Sequence, residues 1–343
     1  MDKVRVLVVD DSFVIRNILK QSLELDPDIE VIGSACDAFE ARDMIIKLRP
    51  DVMTLDIEMP RMNGIDFLKK LMPQYPMPVI VVSSLDDRVF DALEAGAVDF
   101  IHKPGGLTRT QLVEHMKIEL NERIKAATKV KVTGRKRREP ATIVSDGVIG
   151  RSDKEIVAIG ASTGGTEALY EVLSKFNTDI PGVVVVQHMP PGFTGMFAER
   201  LNSQCQVAVK EAKDGDRVKQ GQVLIAPGDK QMRLLKTSEG YQVQCKFGEK
   251  VSGHCPSVNV LFKSVAEVAK DRAVGVILTG MGSDGAEGLM EMNRQGAVTI
   301  GQDEVTSIVY GMPKVAFQMG AVDYQVGLPQ VAKKIYSVLN NKR

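Results

Sequence analysis

Five polar residues in the first third of the chain follow or end apolar, strand-like segments and have the types needed for phosphoryl chemistry. Asp10 and Asp11 follow one segment, Asp56 follows a second, Ser83 ends a third and Lys103 follows a fourth. Because the carboxyl ends of parallel strands meet along one edge of a sheet, we expect these side chains to be neighbours. Three carboxylates there repel one another unless a hard divalent cation such as Mg²⁺ binds among them. A lysine beside them can neutralise a phosphoryl group carried by one carboxylate.

Three residues in the second half, Ser162, His188 and Asp284, have the types of a nucleophile, a general base and a carboxylate that orients the base. Each follows a separate apolar segment. Ser162 lies in the glycine-rich sequence GASTGG at 160–165, which predicts a tight strand-to-helix turn with an exposed hydroxyl. The chain order serine, histidine, aspartate differs from that of α/β-hydrolases, so membership of that class is not expected.

Each of these residues also has an ordinary structural explanation. The glycine-rich turn is typical of phosphate-binding turns as well, and a strand-end histidine is often only hydrogen-bonded. Asp284 precedes Gly285 and can cap the following helix. His254 is a competing candidate for the base, and it can instead line a substrate groove or cap the helix that starts near Ser257. The prediction of a hydrolase site therefore depends on the three residues together.

Size and composition limit the class of protein. A length of 343 residues is enough for about two domains, and 44 basic against 44 acidic residues give no overall attraction to nucleic acid or membranes. The four cysteines have no CxxC spacing, which fits a reducing compartment. No segment approaches the roughly 18 apolar residues of a membrane span. We expect a soluble, cytoplasmic protein.

Two α/β patterns position these residues. Five strand-and-helix units precede residue 125, and a second alternation begins at 155, so we expect two doubly wound parallel sheets. Shorter alternating segments between 222 and 247, with a turn at Glu239-Gly240, predict an antiparallel hairpin insert. We expect a first domain at 1–124, a linker at 125–152 and a second domain at 153–343. The linker is rich in Lys and Arg, which is typical of a solvated spacer and, alternatively, of a contact with nucleic acid or an acidic partner.

The first domain resembles a two-component response-regulator receiver domain, which has a flavodoxin-like fold. The resemblance lies in LVVDDS at 7–12, LDIEMP at 55–60, VS at 82–83 and HKP at 102–104. It implies that Asp56 accepts a phosphoryl group from a histidine kinase and that Phe100 reorients on activation. Mg²⁺ would be held by Asp11, Asp56 and the backbone carbonyl of Glu58, with Asp10 in support, and Ser83 and Lys103 would contact the phosphoryl oxygens.

The second domain resembles the chemotaxis protein-glutamate methylesterases, which demethylate chemoreceptors and have a three-layer α/β catalytic domain. The resemblance lies in IGASTGG at 159–165, QHMPPGFT at 187–194 and LTGMGSDGA at 278–286, and with the receiver it spans nearly the whole chain. It implies that Ser162 attacks the side-chain carbonyl of a methylated glutamate, while His188 transfers the proton and Asp284 holds the imidazole. The backbone N–H of Met281 would bind the oxyanion. Receptor glutamines would be deamidated at the same site.

The same resemblance implies the partners and the regulation. Methyl-accepting chemoreceptors are the expected substrates and a chemotaxis histidine kinase the expected phosphodonor, with no cofactor for hydrolysis, no nucleic acid and membrane contact through the receptors alone. We expect a monomer whose receiver inhibits the esterase until it is phosphorylated. Departures from the family pattern at Gln231, Cys255 and Asn259 affect the charge of the substrate groove. The alternatives are a phosphorylation-controlled nucleotide- or DNA-binding regulator and a hydrolase of small esters.

Overall fold

The structure is a computed structural model that describes residues 3–84, 88–128 and 153–340. The chain divides into two compact units, Met1–Arg138 and Glu139–Arg343. The last helix of the first unit continues to Ala127, so residues 125–127 of the expected linker are helical. The rest of that linker, from 129 to 152, lies outside the described residues, as does most of its basic cluster.

The first unit is a five-stranded parallel sheet with the strand order β2-β1-β3-β4-β5. The order reverses direction between β1 and β3, and ligands of such sheets bind outside the strand carboxyl ends at this point. The strands are β1 (Val4–Val9), β2 (Ile29–Ala35), β3 (Val52–Leu55), β4 (Val79–Ser83) and β5 (Asp99–His102). The helices are α1 (Phe13–Glu24), α2 (Ala38–Leu48), α3 (Gly64–Leu71), α4 (Arg88–Ala95) and α5 (Arg109–Ala127).

One glycine fixes how closely helix α3 approaches the first site. Asn63 caps this helix by accepting a hydrogen bond from the Asp66 amide over 2.8 Å, and Gly64 is the first helical residue. A Cβ at Gly64 would overlap the backbone carbonyl oxygen of Asp56. Only glycine therefore lets the start of α3 pack directly against the backbone of Asp56.

The second unit is a seven-stranded parallel sheet with the order β14-β13-β12-β6-β7-β9-β8. Its strands are β6 (Ile156–Ala161), β7 (Gly182–Gln187), β8 (Ala208–Glu211), β9 (Gln222–Ile225), β12 (Ala273–Ile277), β13 (Val298–Gln302) and β14 (Tyr324–Val326). Its helices are α6 (Gly165–Leu173), α7 (Phe193–Gln204), α8 (Val258–Ala269), α9 (Ala286–Arg294), α10 (Met312–Gln318) and α11 (Leu328–Asn340). The prediction of two parallel-sheet α/β domains is confirmed.

The antiparallel insert is also present, as strands β10 (Lys230–Thr237) and β11 (Gly240–Phe247). The turn occupies residues 238 and 239, and Gly240 opens β11 with a φ of 116°. The hairpin packs on α8 through buried Leu234, Val243 and Phe262. Among the described residues, no helix combines the length and the apolar character needed to cross a membrane.

Candidate functional site

The carboxyl edge of the first sheet gathers three aspartates. One carboxylate oxygen from each of Asp10, Asp11 and Asp56 lies within 4.8 Å of the other two, with Asp10 and Asp56 buried and Asp11 exposed. Ser12 donates its amide to Asp10 Oδ1 over 2.9 Å, which fixes one of the buried carboxylates. An all-oxygen set of hard donors, open to solvent on one side, fits a hydrated Mg²⁺ ion.

Lys103 pairs with two of these aspartates. Its Nζ lies 2.7 Å from Asp10 Oδ2 and 3.0 Å from Asp56 Oδ1. Its amide donates to the carbonyl of buried Ser83 over 2.7 Å, so the ends of β4 and β5 hold both residues at one edge of the sheet. Burial raises the pKa of Asp56, Asp10 adds to this, and the Lys103 cation opposes it. A cation bound there would further favour the charged carboxylate.

Two other residues expected in the first site have clear positions. The amide of Glu58 donates to the Asp56 carboxylate, while its side chain is exposed and pairs with Arg88 over 2.7 Å. The Glu58 side chain is therefore engaged elsewhere, which fits a role for its backbone alone. Phe100 is buried and packs edge-on against Phe90, with ring centroids 6.3 Å apart.

In the second unit, Ser162 and His188 each directly follow the last residue of one of two adjacent strands. Strands β6 and β7 are neighbours with Ala161 opposite Gln187, and the next residue of each strand is Ser162 or His188. The His188 amide donates to the carbonyl of Ala161 over 3.1 Å, which continues the ladder by one step. The parallel register therefore places the two side-chain positions next to each other.

Asp284 lies within hydrogen-bond distance of the imidazole. His188 Nε2 and Asp284 Oδ2 are 2.8 Å apart, and both side chains are almost completely buried. Asp284 also faces the start of α8, where it accepts hydrogen bonds from the Ser257 hydroxyl at 2.8 Å and from the amides of Val258 and Asn259 at 2.6 and 3.1 Å. Asp284 therefore orients the imidazole and satisfies the amino end of α8.

These contacts lower the pKa of Asp284 and determine which nitrogen of His188 faces it. Burial raises the pKa of Asp284, but the hydrogen bond and charge of His188 and the donors at α8 outweigh it and hold this pKa below its usual range. When the imidazole is neutral and Asp284 is ionised, the carboxylate accepts the proton of Nε2 and Nδ1 carries the lone pair. Among the described residues, buried Nδ1 has no hydrogen-bond partner. The nitrogen that can receive a proton is thus Nδ1.

The backbone around Ser162 is held from several sides. Gly164 has a φ of 74°, and the amide of Gly165 donates to the Ser162 carbonyl over 2.7 Å. The side-chain amide of Gln187 donates to the carbonyls of both Ser162 and His188, at 2.9 and 3.1 Å. A Cβ at Gly280 would lie 2.8 Å from the Cβ of Ser162, so this glycine makes room for the serine.

Met281 directly follows Gly280 on the loop that carries Asp284. The amide of Gly280 donates to the Val309 carbonyl over 3.0 Å, and the Gly280 carbonyl accepts from the amide of Met312 over 2.8 Å. Within the part of the chain that the structure describes, the amide of Met281 donates no hydrogen bond to a backbone carbonyl. A donor held beside the serine and left without an acceptor is the arrangement that an oxyanion requires.

Several contacting residues were missed by the sequence analysis. Ser257 was named only as a helix start and Gln187 only as part of a family segment, and both contact the site through long-range hydrogen bonds. Gln231, a departure from the family pattern, accepts from the Ser257 amide and donates to the carbonyl of His254. His254, expected as a competing base or groove residue, stacks on His188 with ring centroids 3.7 Å apart. Sequence patterns that mark helix and strand ends do not show which distant groups those ends contact.

The chain is similar to known proteins over both units. The family model described as CheB methylesterase matches residues 157–335, and the response regulator receiver domain model matches residues 6–117. Protein-glutamate methylesterase/protein-glutamine glutaminase 2 of Syntrophomonas wolfei is 54% identical over 338 residues, which cover 98% of each chain. The protein-glutamate methylesterase/protein-glutamine glutaminase of Salmonella typhimurium is 46% identical over 99% of this chain and 98% of that protein.

A solved structure agrees with this result. The Thermotoga maritima CheB methylesterase catalytic domain is 37% identical with a TM-score of 0.53, covering 54% of this chain and 98% of that domain. These two relatives are about half identical to this chain, and the match covers nearly the full length of each protein. The chain therefore belongs to the family of protein-glutamate methylesterase/protein-glutamine glutaminases with an amino-terminal receiver domain.

Proposed function

We propose that this chain is a phosphorylation-regulated hydrolase that removes methyl groups from glutamate methyl esters of chemoreceptors and deamidates receptor glutamines. The observation that supports the proposal is the pairing of His188 Nε2 with Asp284, which leaves buried Nδ1 without a hydrogen-bond partner among the described residues, at the end of the strand beside the one that precedes Ser162. The alternative of a nucleotide- or DNA-binding regulator is not favoured, because the second unit belongs to a hydrolase family.

Ser162 is the proposed nucleophile. Its hydroxyl oxygen attacks the side-chain carbonyl carbon of the methylated glutamate, and its proton passes to Nδ1 of His188. The negative charge on the tetrahedral oxygen is met by the amide of Met281, a type of donor worth about 3 kcal/mol of barrier. The imidazolium is stabilised by Asp284, which stays ionised because of its four donors.

The intermediate then collapses. His188 returns the proton to the departing methoxide, methanol leaves, and Ser162 remains as an acyl ester. Water attacks this ester with His188 again as the base, which releases the free glutamate and restores the serine. A glutamine presents the same carbonyl with ammonia as the leaving group, so deamidation needs no further residue.

The receiver domain implies regulation by phosphorylation, typically with Mg²⁺. Asp56 is the proposed acceptor of a phosphoryl group from a histidine kinase, and Ser83 and Lys103 are the proposed phosphoryl contacts. Asp10, Asp11, Asp56 and the Glu58 carbonyl are the proposed Mg²⁺ site, which the clustered carboxylates support. The metal would neutralise the developing charge of the transferred group. We keep 1–124, 125–152 and 153–343 as the proposed domain boundaries.

One experiment tests the proposal directly. Membranes that carry methylated chemoreceptors are incubated with the wild type and with Ser162→Ala, each with and without a small phosphodonor, and released methanol is measured. We expect wild-type release that rises with phosphodonor, and loss of release by at least about a thousandfold in Ser162→Ala. Near-normal release by a folded Ser162→Ala protein would refute the assignment of the nucleophile.

A truncation tests the regulation. Removing the residues before 153 leaves the region that matches the CheB methylesterase model, and a catalytic domain of this kind from Thermotoga maritima has been solved on its own. If the unphosphorylated receiver inhibits the esterase, the truncated protein releases methanol faster than the intact unphosphorylated chain and no longer responds to phosphodonor. Equal rates for the two proteins would contradict inhibition by the receiver.

A further inference from the structure

The imidazole rings of His188 and His254 lie face to face. Their centroids are 3.7 Å apart and their planes differ by 12°. His254 lies on the segment between β11 and α8, whereas His188 follows β7. The contact is therefore made by the tertiary fold between two segments that are far apart in the sequence.

The hydrogen bond between Nε2 of His188 and Asp284 does not by itself fix the tilt of the imidazole ring. Asp284 holds it at a single edge atom, Nε2, and Nδ1 has no hydrogen-bond partner within the described residues. A ring held at one edge atom can tilt about that hydrogen bond. Tilting changes the direction of the Nδ1 lone pair, which must point at the serine hydroxyl for proton transfer. A flat ring pressed against the face of His188 opposes this tilt.

His254 is itself fixed in place. Its backbone exchanges two hydrogen bonds with Val251, each of 3.0 Å. Its carbonyl accepts from Nε2 of Gln231 over 3.3 Å, and the same amide group binds the carbonyl of Glu249 over 2.9 Å. Gln231 is buried on β10, so the segment that carries His254 is tied to the hairpin. A ring carried by such a segment is a suitable support.

The stacked geometry also limits what His254 can do chemically. The lone pairs and N–H bonds of an imidazole lie in the ring plane, so two parallel stacked rings do not pass a proton between their faces. His254 in this position contacts the base without relaying its proton. The stacking contact itself is made by the face of the ring and not by its nitrogens.

We propose that His254 is a positioning residue that holds the His188 ring, by face-to-face contact, in the orientation in which Nδ1 meets Ser162. This inference rests on the proposed hydrolase function, since it concerns the base of that reaction. It predicts that another flat ring can replace His254, and that a side chain without a flat face cannot.

The test compares His254→Phe with His254→Ala in the full chain, using methanol release from methylated receptor membranes. Aromatic stacking is a weak contact, so we expect His254→Ala to lower kcat about tenfold, equivalent to about 1.4 kcal/mol of barrier, with KM within about twofold. His254→Phe should stay within about threefold of the wild-type kcat. The matched control is Lys250→Ala, an exposed position on the same segment, and it should match the wild type.

A spectroscopic signal tests the same contact without turnover. The Nε2 proton of His188, bonded to Asp284, should give a slowly exchanging imidazole NMR signal in the wild type and in His254→Phe, and a broadened one in His254→Ala. If His254→Ala does not fold, His254→Leu replaces it, because leucine fills space without a flat face. Equal kcat values for Phe and the non-aromatic variant, whether both normal or both low, would overturn the inference. Absence of methanol release from the wild type would instead refute the proposed function, and the NMR comparison would still decide whether His254 holds the ring.

Discussion

The hydroxyl of Ser257 donates a hydrogen bond to Oδ1 of Asp284 over 2.8 Å, while His188 bonds Oδ2 of the same carboxylate at the same distance. Ser257 is completely buried and directly precedes helix α8. The carboxylate is therefore held at both oxygens, one by the proposed base and one by a serine far from the glycine-rich turn. This serine carries no catalytic signature in the sequence.

Ser257→Ala should destabilise the second unit by about 1.5–3 kcal/mol at neutral pH, because it removes a hydrogen bond to a buried charge. The Asp284 pKa is lowered in the folded state, so its ionisation contributes stability above the unfolded value of about 3.9 and loses it as pH falls through the folded pKa. The difference between variant and wild type should therefore shrink below about pH 4. Urea unfolding at several pH values measures this. The control is Ser203→Ala, whose hydroxyl donates to the Arg200 carbonyl at an exposed site, and an equal loss there would contradict the prediction.

Asp56→Asn should abolish the response to phosphodonor and leave basal methanol release unchanged. It should also stabilise the first unit at neutral pH. Burial and Asp10 raise the folded pKa of Asp56, so the carboxyl stabilises the fold below its unfolded pKa and loses this contribution as pH rises through the folded pKa. Thermal unfolding at pH 7 and pH 4 measures the effect, which should be larger at pH 7.

Asp66→Asn serves as the control for Asp56→Asn, because Asp66 is an exposed carboxylate in the first turn of α3. It should retain the response to phosphodonor. A variant at position 56 that unfolds at a lower temperature than the wild type at pH 7 would contradict the electrostatic argument.

Lys103→Met should destabilise the first unit by about 3–5 kcal/mol, because it leaves two buried carboxylates without their cation. Millimolar Mg²⁺ should restore part of this loss if the ion binds among Asp10, Asp11 and Asp56. Unfolding with and without Mg²⁺ measures both effects. Lys20→Met is the control, since Lys20 pairs with Glu24 at the surface and should contribute less than about 1 kcal/mol. No stabilisation of Lys103→Met by Mg²⁺ would contradict the proposed metal site.

Gly64→Ala should displace the start of helix α3 or the backbone of Asp56, because an added Cβ overlaps the Asp56 carbonyl oxygen. We expect a loss of stability of about 1–3 kcal/mol and a slower rate of phosphorylation by a small phosphodonor. The control Gly105→Ala places its Cβ in open space and should preserve both properties. If Gly64→Ala were phosphorylated at the wild-type rate, the prediction that the close packing of Gly64 against Asp56 matters for phosphorylation would be wrong.

The two α/β units, and the strand ends that carry Asp56, Lys103, Ser162 and His188, could be predicted from the sequence. This prediction is possible because the carboxyl ends of parallel strands lie at the same edge of a sheet, independently of the loop conformations. The family segments added the roles of these residues, which remain predictions for direct assay. The hairpin was also predictable, since two short alternating segments lie close together along the chain.

The groups that surround those strand ends are visible only in the folded protein. Which nitrogen of His188 faces Asp284, and that Ser257 and His254 contact this pair, depends on how the segment before α8 packs against β7 and the Asp284 loop. These contacts join segments far apart along the chain and leave no local periodicity in the sequence. They follow from side-chain packing and buried hydrogen bonding, which are satisfied only when all the participating segments are in place.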